Sequence, residues 1–208
     1  GNKLFIKNLT ESNSSLVAVI DNEASSTMPV TNQGSTLLLA TNLDAPNRRL
    51  VKVDASAPQP NNWEDVISET EHVLNVSYGG GYLFARYMKD AISQVKQYSY
   101  AGELVRDIAL PGVGTVSGFS GKDDADTLYF SFTNYINASS IYAYEPETGT
   151  SRVYFTSGAQ FNADDFVSEQ VFYTSADGTQ VPLIISYKKG LARDGSNPTI
   201  MYGYGGFH

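Results

Sequence analysis

A glycine-rich run near the end of the chain, Tyr202-Gly203-Tyr204-Gly205-Gly206-Phe207, holds the residues best suited to chemistry. It follows Thr199-Ile200-Met201, which has the composition of a short apolar strand. Glycine reaches left-handed backbone angles and lets another group approach closely, so a tyrosine in such a turn can aim its hydroxyl into a cleft. A phenolic O–H held there can donate to negative charge developing on an oxygen. The same tyrosines also suit a packing role beside a turn.

Other chemical combinations fail on spacing. Gly118-Phe119-Ser120-Gly121-Lys122 approaches a G-x-S-x-G nucleophile elbow but ends in lysine and falls among strand-like runs. Gly112-Val113-Gly114 lacks the continuation and the helix of a phosphate loop. Asp123-Asp124-x-Asp126 lacks the ligand spacing of a calcium loop and reads as a solvated hairpin. His72 and His208 are the two histidines; His72, beside Glu71, reads as a surface residue, and His208 is given no catalytic role. With no cysteine there is no thiol nucleophile, disulfide or zinc–thiolate site in this stretch. Nothing calls for a metal or a cofactor.

The net charge of −8, from 22 acidic against 14 basic residues, opposes nucleic-acid binding, which depends on lysine and arginine neutralising phosphates. No apolar run approaches the roughly 20 residues needed to span a bilayer, so no membrane partner is expected. Leu4-Phe5-Ile6 is too short for a signal sequence, and the cytosol and the periplasm both stay open as compartments.

The elements that must position the glycine turn show a period. Leu4-Phe5-Ile6, Leu50 to Val53, Val95 to Tyr98 and Ile141 to Tyr144 recur at steps of 46, 45 and 46 residues. Leu37-Leu38-Leu39, Leu83-Phe84-Ala85 and Leu128-Tyr129-Phe130 keep the same step. Each unit also has an earlier run (Met28 to Thr31, Val73 to Tyr78, Val113 to Phe119) and a closing one (Trp63 to Ile67, Leu104 to Ile108, Arg152 to Phe155). Asn32-Gln33-Gly34, Gly79-Gly80-Gly81 and Glu147-Thr148-Gly149 separate them as turns. Four strands per unit of about 45 residues is the pattern of a propeller blade. An antiparallel sandwich with evenly spaced hairpins would show similar alternation. The reading is half a blade from Leu4 to Ile20, then three complete blades to about Phe155.

After Ser157 the period stops. Val167 to Thr174 and Val181 to Tyr187 alternate as two strands around an Asp177-Gly178 hairpin turn. The expected domains are therefore 1–158 and 159–208.

The block Tyr173-x-Ser175-x-Asp177-Gly178-Thr179-x-Val181-Pro182, then Tyr187-Lys188-Lys189-Gly190, Asp194-Gly195-Ser196-x-Pro198 and Tyr202 to Phe207 closely resembles the prolyl oligopeptidase family of serine peptidases. Weaker matches run upstream through Trp63, Gly118 to Gly121 and Phe130-x-Phe132-Thr133, so the resemblance covers essentially the whole chain. It implies a mostly β chain: the second half of a seven-bladed β-propeller, followed by the first strands of an α/β-hydrolase domain. It implies a parent enzyme that cleaves short peptides after proline, the propeller gating access, without metal or cofactor. Tyr204 then matches the hydroxyl donor of the oxyanion hole, Phe207 a wall of the S1 pocket, and Tyr202 a packing position. No Ser, Asp or His of a catalytic triad falls in this chain, so it should be inactive alone. Its expected partners are a peptide substrate and the remainder of the same polypeptide. A propeller used only for binding, or an oligopeptidase B-like or dipeptidyl-peptidase-like specificity, are the alternatives.

Overall fold

The computed structural model describes residues 1–203, and it divides into two units, Gly1–Ala159 and Gln160–His208. The first unit opens with a two-stranded pair, β1 (Leu4–Ile6) and β2 (Val17–Ile20). Three four-stranded antiparallel sheets follow, each a meander in chain order. They are β3 (Thr27–Gln33) to β6 (Glu64–Ile67), with β4 (Thr36–Thr41) and β5 (Arg49–Asp54) between; β7 (Asn75–Gly79) to β10 (Leu104–Asp107), with β8 (Tyr82–Lys89) and β9 (Ile92–Tyr98); and β11 (Thr115–Ser120) to β14 (Thr150–Phe155), with β12 (Leu128–Thr133) and β13 (Ser140–Glu145). Every run of the repeat therefore became a strand.

Alternation along the central strands explains why their sequences are apolar on both faces. On β8, Leu83, Ala85 and Tyr87 pack with Leu38, Leu50 and Ile67 of the preceding sheet, whereas Phe84 faces Phe119, Phe130 and Tyr144 of the following one. On β4 and β5, Leu39, Val51 and Val53 turn the other way, toward Val19 of the opening pair. A strand buried on both faces reads as a continuous apolar run, as Leu37-Leu38-Leu39 does.

Turn chemistry sets the hairpins. Gly80 and Gly81, at φ 56° and 79°, make a two-residue connection from β7 to β8, whose backbone twist suits the flanking strands. Pro29 is tolerated in β3 because this is an edge strand, and the register slips between Pro29 and Thr31.

Adjacent sheets are also joined by polar bonds. The Gly121 amide donates to Tyr78 O (3.1 Å) and the Gly80 amide to Lys122 O (2.9 Å). Gln97, wholly buried on β9, donates to Pro146 O (2.9 Å) and accepts from the Tyr144 hydroxyl (2.5 Å). Burial pushes the Tyr144 hydroxyl up to about 12, so it remains a donor throughout the neutral range.

The second unit is a hairpin of β15 (Phe166–Thr174) and β16 (Gln180–Lys188), paired without a bulge from Phe166–Lys188 to Thr174–Gln180. Thr199-Ile200-Met201 departs from the expected strand: it has no strand partner among the described residues, and Ile200 is 97% exposed. Strand composition alone does not make a strand; the backbone needs a hydrogen-bonding neighbour.

Candidate functional site

The two residues expected to contact substrate, Tyr204 and Phe207, lie outside the described residues, as does His208. The approach to them is ordered by short-range polar contacts. In the β15–β16 turn Asp177 accepts from Ser175 Oγ (2.6 Å) and from the Thr179 amide (3.0 Å). In the next loop Asp194 accepts in the same way from Ser196 Oγ (2.6 Å) and its amide (3.0 Å). These bonds favour the carboxylate, holding Asp177 down to about 2 and lowering Asp194. Glu169 on β15 accepts from the Tyr187 hydroxyl (3.0 Å) and pairs with Arg193 (2.7 Å), whose guanidinium lies over the Tyr187 ring. That cluster ties the loop after β16 back to the hairpin.

Tyr202, expected to pack, is 77% exposed. Among the described residues of its unit nothing covers it. Ser120 of the near-elbow sits in the β11 ladder opposite Tyr129, not at a strand-to-helix turn. His72 lies in the connection before β7, with Nε2 3.2 Å from Glu71 Oε1. In the β11–β12 connection Asp123 accepts from the Tyr100 hydroxyl, which burial and that carboxylate push upward. Among the described residues no group of three or more His, Cys, Asp or Glu is arranged to hold a metal ion, and no helix is long and apolar enough to cross a membrane.

The first unit holds one feature that sequence reasoning missed. A groove of about 410 Å³ runs along β7, lined by Arg48 and Arg86 together with Asn75, Ser77, Tyr78 and Ser120, and closed on one side by apolar residues of β3. Arg86 donates through Nη1 to Val116 O (3.3 Å), and burial without a carboxylate nearby lowers its pKa. Its only sequence signal is a charged residue inside the apolar run Leu83 to Tyr87.

Successive four-stranded meanders packed face to face, the middle one buried through both faces, are the blades of the β-propeller class. A family model described as "Prolyl oligopeptidase, N-terminal beta-propeller domain" matches residues 1–157, and the chain belongs to that family. It is 51% identical over all 208 residues to a prolyl endopeptidase of Elizabethkingia meningoseptica, covering 29% of that protein. It is 32% identical over 184 residues to prolyl oligopeptidase A of Galerina marginata, covering 86% of this chain and 24% of that one. The solved apo structure of prolyl oligopeptidase B from Galerina marginata superposes with a TM-score of 0.87 at 28% identity, over 99% of this chain and 30% of that one. The chain thus spans under a third of the length of these relatives.

Proposed function

We propose that this chain is part of a serine endopeptidase that hydrolyses short peptides on the carboxyl side of proline. The observation that carries the reading is the match to a prolyl endopeptidase across all 208 residues, which continues past the propeller into the hairpin and the tyrosine turn. On this reading residues 1–158 are the second half of a seven-bladed propeller, and 159–208 begin the α/β-hydrolase domain. The propeller admits short peptides and turns folded proteins away by size.

Within the catalytic centre Tyr204 supplies one hydroxyl donor to the oxyanion of the tetrahedral intermediate. It acts where charge develops, so it lowers the barrier more than it strengthens ground-state binding. Phe207 offers a flat apolar wall to the proline ring, which has no N–H to satisfy. The nucleophile, its base and its acid come from the remainder of the polypeptide, and this chain alone does not turn over substrate.

The test is Tyr204→Phe in the full-length polypeptide, assayed on a proline-containing chromogenic peptide. We expect kcat to fall by about 10²–10³ with KM little changed. An unchanged kcat removes Tyr204 from the oxyanion hole, and a preference for Arg or Lys over proline at P1 overturns the specificity.

A further inference from the structure

We propose that the groove along β7 is a subsite that captures the carboxylate of an acidic peptide side chain or free C-terminus through Arg86 and Arg48. The identity of the ligand as a peptide rests on the peptidase reading; the capture of a carboxylate rests on the groove itself.

The charge distribution is the first argument. The chain carries 22 acidic residues against 14 basic ones, yet two arginines line this groove and no aspartate or glutamate does. The second argument is the state of the two side chains. Two other arginines are matched by carboxylates: Arg49 to Asp65 at 2.9 Å and Arg193 to Glu169 at 2.7 Å. Arg86 instead spends one N–H on the Val116 carbonyl, and its Nε is buried without an acceptor. A guanidinium carries a fork of donors shaped for a planar carboxylate, and leaving it half-buried without a counter-ion is unfavourable. Among the described residues no carboxylate reaches the Arg86 or Arg48 side chain.

Backbone conformation supplies the third argument. Arg48 sits at φ 68°, in the left-handed region where glycine or asparagine is the ordinary occupant. Strain of this kind is kept where the side chain has work to do. Its amide closes the turn onto Ala45 O (2.7 Å), which any residue would do, so the backbone contact does not account for arginine.

The rest of the lining decides what kind of anion fits. Asn75 and Ser120 add neutral donors, while Met28, Pro29 and Leu74 form an apolar wall. A small inorganic anion would leave that wall wet, whereas a peptide presents a carboxylate and an apolar stem together.

The experiment uses the full-length polypeptide and proline-free peptides, which are not cleaved in the proposed reaction. Binding of a short peptide ending in a free glutamate is measured by calorimetry against the same peptide with glutamine and an amidated end. Inorganic phosphate serves as a small-anion competitor. We expect the acidic peptide to bind more tightly and Arg86→Gln to weaken it by about tenfold or more, as for loss of a charged hydrogen bond. Arg48→Gln, at an exposed loop position that does not threaten folding, should weaken it less, and neither variant should alter binding of the neutral peptide. Equal affinity for the two peptides, or unchanged binding in both variants, overturns the proposal. Phosphate binding as tight as the acidic peptide overturns its peptide identity. Loss of acidic-peptide binding with proline cleavage intact supports the subsite independently of the peptidase reading. Intact binding without any cleavage counts against the peptidase reading alone.

Discussion

The interface between β7–β10 and β11–β14 and the β15–β16 hairpin are both antiparallel β structure, but they are held in different ways. The interface gathers nine buried side chains into one cluster, among them Phe84, Phe119, Phe130 and Tyr144. Along β15 and β16 no residue reaches full burial. Conversely, the hairpin keeps an unbroken register, whereas the ladders of the sheets slip at Gly118/Ser120 and Ile141/Tyr142. Where packing across sheets dominates, the backbone bends to serve it; where little is buried, turn geometry and pairing carry the structure. An isolated two-stranded hairpin is marginal in water, so the hairpin's local bonds matter more to it than equivalent bonds matter to a blade.

Phe119 is the sharpest point of this contrast. It is fully buried, stacked against Phe130 at 4.5 Å and Phe84 at 5.3 Å between centroids, yet sits at φ 59°. A bulky residue there is strained, and the ring stack holds it in place. Phe119→Ala should cost about 3–5 kcal/mol, read as a shift of the denaturant midpoint in the full-length polypeptide. Phe119→Gly removes the same ring but suits the left-handed backbone, and should be more stable than the alanine variant by about 1 kcal/mol. If alanine is the better of the two, the bulge is not strained and the contrast with the hairpin loses its basis.

Effects of similar size or smaller are expected at the polar bond inside the same interface. Gln97→Leu leaves the Tyr144 hydroxyl and Pro146 carbonyl buried without their partner, at about 1–3 kcal/mol for each orphaned group. Tyr144→Phe should cost about 1 kcal/mol, and the double variant less than the two single changes together, because they share one bond. Strict additivity in unfolding measurements would mean that Gln97 and Tyr144 act separately.

What could be read from the residues divides along the same line. The 46-residue step was legible because turns and apolar alternation are local properties, and the Asp177-Gly178 hairpin was legible for the same reason. Phe119's conformation was not, since it depends on rings contributed by two sheets. Nor was the arginine groove: Arg48 and Arg86 stand 38 residues apart in sequence, and the fold alone brings them to one surface. Thr199 to Met201 shows the opposite case, strand-like composition with no strand partner among the described residues. Tyr204 and Phe207 take their roles from the family resemblance, and both lie outside the described residues.

The smallest predicted effect tests the hairpin side of the contrast. Ser175 Oγ, then the Thr179 amide and hydroxyl, hold Asp177 down to about 2 from its ordinary 3.8. Because the folded value is the lower one, the turn gains stability above the ordinary value and loses it as pH falls toward 2. Protection of the Thr179 amide from exchange should therefore decline between about pH 4 and 2, over the range set by those two values. Asp177→Asn keeps an oxygen acceptor for the same bonds but cannot titrate, so its turn should show no such decline. The aromatic interface, whose clustered side chains include no carboxylate, should be indifferent to this substitution. If Asp177 titrates at its ordinary value, or the asparagine variant keeps the same decline, the turn is not held by its carboxylate. The hairpin would then owe its register to pairing alone.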